Sequence, residues 1–291
     1  MRKLGDLSSV MLICAGLAGV SVGPGCEKRA PGPSQGGNPP SAAPAGGSGG
    51  GAGSGLTAGG GLAQSTRYEV VPAAGPDQLG TLEVTAIYKT AEIPPKAEVP
   101  VNINVEYCSH KVFTEDVIVD PETRGLKNVV VRLEGITQGS RKPAEKLTIL
   151  NQGCTFVPHV SVAVKGAFLE IRNDDPVFHT THPYLNGQHW FNIPLQKKGD
   201  QGDASRPRPL SLAGVVEFNC DVHKWMKAYT VVHTSPYIDV SDAKGKILLD
   251  EIPPGEHPYV AWHEQLGEKR GTIKIEAGKV AAFSLEFELA Q

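Results

Sequence analysis

Residues 214–233 read GVVEFNCDVHKWMKAYTVVH. The runs at 214–220 and 228–233 alternate apolar and polar residues, the period of a half-buried strand. The hinge between them, CDVHKWM, places a thiol, an imidazole and a thioether within residues 220–226. A tight loop between two strands delivers such side chains to one point. Soft sulfur together with imidazole nitrogen is the donor set that holds both copper(I) and copper(II) with little change of geometry. Cys220, His223 and Met226 are therefore candidate ligands, and a second imidazole must come from elsewhere. The segment NDDPVFH at 173–179 supplies His179 at a strand end. His182 lies three residues further on and faces the opposite side of an extended strand, so only one of the two reaches the ion.

Cys-x-x-His-x-x-Met with an upstream His resembles the blue-copper cupredoxins of the plastocyanin and amicyanin kind. The short loop and the segment Phe178-His179-Thr180-Thr181-His182 are closest to the amicyanin pattern. The resemblance covers roughly residues 148–233. It implies a Greek-key β-sandwich with one type 1 copper ion at one end, held by His179, Cys220, His223 and Met226, with His182 left out. It also implies a departure, because the family usually has Asn after the first ligand His, where it braces the Cys loop, and this chain has Thr180. More broadly, the pattern is similar to exported bacterial proteins labelled methylamine-utilisation-like, a label that establishes no substrate.

Outward from the loop, further short alternating runs read as strands: 81–88, 101–107, 128–136, 160–173, 259–264, 271–277 and 280–289. No helical period of any length interrupts them. Many short strands with Gly and Pro turns and no covering helices must bury one sheet against another, so the folded part is expected to be all-β. A boundary is placed near Ser235-Pro236, giving a cupredoxin-like domain at 67–235 and a small β module at 236–291. The segment DEIPPGEHPYVAWHE at 250–264 resembles the carboxypeptidase-regulatory-like, transthyretin-type modules, which implies a structural or adhesive tail. His263 and Glu264 within it lack the second carboxylate or metal motif that hydrolytic chemistry needs.

Arg2 and Lys3 precede an apolar run at 10–22 that is too short to span a bilayer and has the layout of a signal peptide, read here as residues 1–25. The following Gly-Pro-Gly-Cys26 resembles a lipoprotein cleavage site, with ordinary cleavage and a free Cys26 as the alternative. Residues 26–66 are Gly, Pro, Ala and Ser with almost no bulky apolar side chain, and read as a flexible tether. The chain is thus expected to be exported to the periplasm or cell envelope, touching a membrane only through a lipid at Cys26.

A net charge of −3 with scattered Lys and Arg offers no face for nucleic acid. Downstream of Cys26 three cysteines remain, an odd number for an oxidising compartment. Cys108 and Cys154 have no Met or His at copper-loop spacing and are read as a disulfide, leaving Cys220 for the metal. Trp225 is expected to pack beside the site and tune it. The functional expectation is an electron carrier between envelope redox proteins, not an enzyme, with His223 exposing its ring edge to the partner. A single ligand cysteine and few paired histidines argue against dinuclear and multicopper centres. Copper capture or delivery, and a structural or adhesive surface role, are the alternatives.

Overall fold

The computed structural model describes residues 67–72, 75–202 and 208–289. The export signal, the tether and Cys26 lie outside the described residues. Among the described residues the chain is all-β as expected, with one α-helical turn, Val105–Cys108, a short 3-10 turn, Pro76–Gln78, and no helix long and apolar enough to cross a membrane.

Two stacked pairs of sheets carry the architecture. In the first pair, His179–Leu185 runs antiparallel to Gly214–Asn219, which is antiparallel to Lys227–His233, and that strand lies parallel to Val160–Val164. Facing it, Lys146–Gln152 pairs in parallel with Phe168–Asn173 and antiparallel with Thr155–Val157. Alternation along these strands turns Ile149, Phe156, Leu169, Ile171, Val216 and Phe218 inward, each 4 % exposed or less. Burial of that apolar area holds the two sheets together. Cys220 and Met226 belong to the same cluster, at the end where the Gly214–Asn219 strand turns back.

The second pair corrects the sequence reading of where strands belong. Gly80–Tyr88, grouped above with the 67–235 domain, pairs in parallel with Val280–Phe287 and antiparallel with Lys246–Ile252. Val130–Leu133 likewise lies between Ile238–Val240 and Gly255–His263, with Gly267–Ile275 on the far side. The sheets containing residues 236–291 therefore take two of their seven strands from upstream. Leu82, Val84, Ala86 and Tyr88 are at most 1 % exposed and need a partner sheet to cover them; Val131, Leu133 and Ala261 of the other sheet provide it. The two pairs of sheets meet across Val130, Val160, Val231 and Ile238, which form an apolar cluster of their own.

Residues 101–107, read from sequence as a strand, are not one. Asn104 adopts a left-handed backbone, φ 51°, which breaks the extended run, and the helical turn Val105–Cys108 follows. The expected disulfide joins Cys108 to Cys154 and fastens this turn over the end of the first sandwich.

Candidate metal centre

The loop after Gly214–Asn219 is closed by the Met226 N–H donating to the His223 carbonyl at 2.9 Å. Cys220, 1 % exposed, receives two backbone N–H groups on its sulfur, from Thr180 and His223, each at 3.4 Å. The Thr180 hydroxyl accepts the Asp221 N–H at 2.8 Å, so Thr180 ties the loop to the neighbouring strand, the bracing that the missing Asn left in question.

His179, Cys220 and His223 each offer one ligand atom, and these atoms lie within 4.8 Å of one another. The Cys220 Sγ stands 3.7 Å from His223 Nδ1, and the two imidazole rings are 4.6 Å apart between centroids. Metal–nitrogen and metal–sulfur bonds of about 2.0 and 2.3 Å meeting at tetrahedral to trigonal angles put sulfur and nitrogen about 3.5–3.7 Å apart, so the spacing accommodates one ion.

Both rings are oriented by a bond from the opposite nitrogen. His179 Nε2 donates to Asp175 Oδ2 at 2.9 Å, and His223 Nε2 donates to Asn104 Oδ1 at 3.0 Å. That assignment leaves a lone pair on each Nδ1. His179 Nδ1 is buried with no hydrogen-bond partner, a costly arrangement for a polar atom unless a ligand completes it. Asp175 is itself fully buried and accepts N–H groups from Gly153 and Cys154 and the Tyr107 hydroxyl. Burial acts to raise its carboxyl, but the bonds from His179, the Cys154 N–H, Tyr107 and the Gly153 N–H outweigh it and hold the group at about 2. Burial likewise opposes ionisation of Cys220, yet the rings of His179 and His223 and the two N–H groups bring its thiol down to about 5, a thiolate at neutral pH.

Met226, 1 % exposed, packs in the apolar cluster that holds Cys220. Trp225 lies 5.1 Å from the His223 ring, and its Nε1 donates to the Cys154 carbonyl, tying the ligand loop to the disulfide. Cys154, Asp175 and His179 also converge, but the sulfur of Cys154 is committed to the disulfide and has no thiolate to offer. His182 faces away from the centre and binds Asp221.

One expectation is overturned. His223 exposes no ring edge: it is 0 % exposed, because Asn104 sits on its Nε2 and the disulfide-pinned turn covers it. Asp175, Asn104 and Tyr107 are the site residues that sequence reasoning missed. Only Asp175 carried a signal, an acidic side chain one helical turn's spacing before His179. Asn104 and Tyr107 sit in a run that reads as ordinary strand.

No family model matches the chain, and no curated protein does. Among solved structures it is similar to a purple cupredoxin from Nitrosopumilus maritimus, at 23 % identity over 29 % of this chain and 97 % of that one, with a TM-score of 0.25. An amicyanin variant in its reduced Cu(I) form matches at 13 % identity over 35 % of this chain and 98 % of its own, with a TM-score of 0.26. A copper-containing nitrite reductase from Thermus scotoductus matches at 17 % identity over 40 % of this chain but only 25 % of the reductase, with a TM-score of 0.24. At such TM-scores these likenesses carry no argument, and the site is read from its own geometry.

Proposed function

We propose that this chain is a mononuclear copper protein that carries single electrons between redox partners in the cell envelope, with no bond chemistry of its own. The carrying observation is the convergence of two imidazole Nδ1 atoms and one thiolate sulfur in a buried pocket, with His179 Nδ1 left without a protein partner. His179, Cys220 and His223 hold the ion, with Met226 as the weak fourth ligand. Bound copper supplies one-electron exchange. The protein's part is to fix the donors: Asp175 and Asn104 lock the ring orientations, Thr180 holds the loop, and the apolar cluster excludes water. With His223 covered, approach to the centre runs through a cleft of about 530 Å³ beside the loop, lined by Phe113, Phe156, Trp225 and Met226 among others.

Export through residues 1–25, lipidation at Cys26 and the range conferred by the tether complete the reading. Adding Cu(II) to the purified protein is expected to give an intense visible thiolate-to-copper band that Cys220→Ser abolishes. A colourless protein, or a band that survives Cys220→Ser, overturns the proposal.

The cover over His223 favours a second reading, copper capture or delivery, in which a shielded site retains Cu(I). Reversible voltammetry at a fixed potential supports the carrier; tight Cu(I) binding without reversible oxidation supports capture.

A further inference from the structure

We propose that His182 and His189 form a second metal site on the outer face of the first sandwich, one that takes a divalent late first-row cation such as Zn2+ or Cu2+. His182 lies on the same strand as His179 but projects from the opposite face. Its Nδ1 stands 3.1 and 3.2 Å from the two carboxylate oxygens of Asp221. A carboxylate only accepts, so the ring proton sits on Nδ1 and the lone pair on Nε2. The Tyr184 hydroxyl and Asn192 Nδ2 also lie near Nδ1, at 3.4 and 3.5 Å, further than the carboxylate. Nε2 is enclosed and has no hydrogen-bond partner.

Beside that ring lies a second imidazole. The His189 ring lies 4.8 Å from that of His182 between centroids, nearly perpendicular at 79°. Two imidazoles bound to one ion through bonds of about 2.0–2.1 Å place their centroids about 5 Å apart. Strand register holds the pair: Tyr184 is opposite His189, and His182 is two residues back on the same face. The Tyr184 ring stacks on His182 at 4.5 Å and fixes its plane. Asp221 is in turn anchored by Asn192 Nδ2 and lies 3.8 Å from the Lys224 ammonium. A carboxylate that orients an imidazole, its other nitrogen left without a partner beside a second imidazole, is the arrangement by which proteins prepare a metal ligand. His189 is exposed, so solvent completes the coordination and the ion exchanges freely. Imidazole donors without sulfur favour Zn2+, Cu2+ or Ni2+ over Mg2+ or Ca2+.

The proposal is independent of what His179, Cys220 and His223 hold. The test is Zn2+ binding to the full chain by calorimetry, in wild type and in Cys220→Ser. In both backgrounds His189→Gln is expected to remove one Zn2+, or weaken it about a hundredfold, and Asp221→Asn to weaken the same event about tenfold. His189 is exposed, so its variant keeps the fold, as circular dichroism will confirm. Zn2+ stoichiometry and affinity unchanged by His189→Gln overturn the proposal. A deficit that appears with Cys220→Ser but not with His189→Gln assigns the ion to the first centre and overturns it equally.

Discussion

At the scale of single residues, orientation of the proposed ligands rests on groups outside the donor set. Asp175 accepts a ring N–H, two backbone N–H groups and a phenol, all inside the protein. Asp175→Asn keeps the shape but removes the charge that strengthens those bonds. Copper affinity is expected to fall about 10- to 100-fold in a chelator competition, while the visible band persists because all ligands remain. Thr180→Val leaves the Asp221 N–H without its acceptor. A loss of about 1–3 kcal/mol is expected from urea unfolding of the metal-free protein.

At the scale of elements, the short turn after Asn104 decides how the centre meets its surroundings. Three attachments hold it: Asn104 to His223, Tyr107 to Asp175, and Cys108 to Cys154. Asn104→Ala uncovers Nε2 of His223, and electron exchange of the copper-loaded protein with a small inorganic oxidant is expected to accelerate severalfold in stopped flow. An unchanged rate places the route on the cleft side, by Trp225 and Met226. The disulfide closes a separation of 46 residues, so replacing both cysteines by serine is expected to cost about 4 kcal/mol of stability in urea unfolding.

At the scale of the whole molecule, the two pairs of sheets are joined by an apolar cluster and by enclosed polar contacts, His233 Nε2 to the Leu133 carbonyl and His159 to Glu264 among them. His159 Nε2 and Glu264 Oε1 are 2.7 Å apart with side chains 10 % and 2 % exposed. Next to that contact, burial and then the charge of His159 depress His263 to about 4. Its folded pKa lies below the unfolded value near 6.5, so the unfolded chain takes up the proton first as pH falls. Stability is thus full above about 6.5, declines between 6.5 and 4, and loses on the order of 3 kcal/mol over that window. His263→Gln is expected to flatten that part of the curve, measured as urea midpoints from pH 7 to pH 4. An equally steep decline in the variant assigns the acid sensitivity to other groups.

What this sequence determines by itself is local. Alternation along 214–220 and 228–233 specifies two strands, and the spacing of Cys220, His223 and Met226 follows from the loop between them, since neighbours in the chain constrain one another directly. His179 was legible for the same reason, as a residue at a strand end. The tertiary structure alone decided which strands share a sheet: alternation says that Leu82 and Val84 face a core, but not that the core belongs to residues 280–287. It alone decided, too, that Asn104 covers His223, a contact spanning 119 residues. Such pairings come from burying complementary faces and satisfying buried polar atoms across the whole fold, and no periodicity along the chain records them.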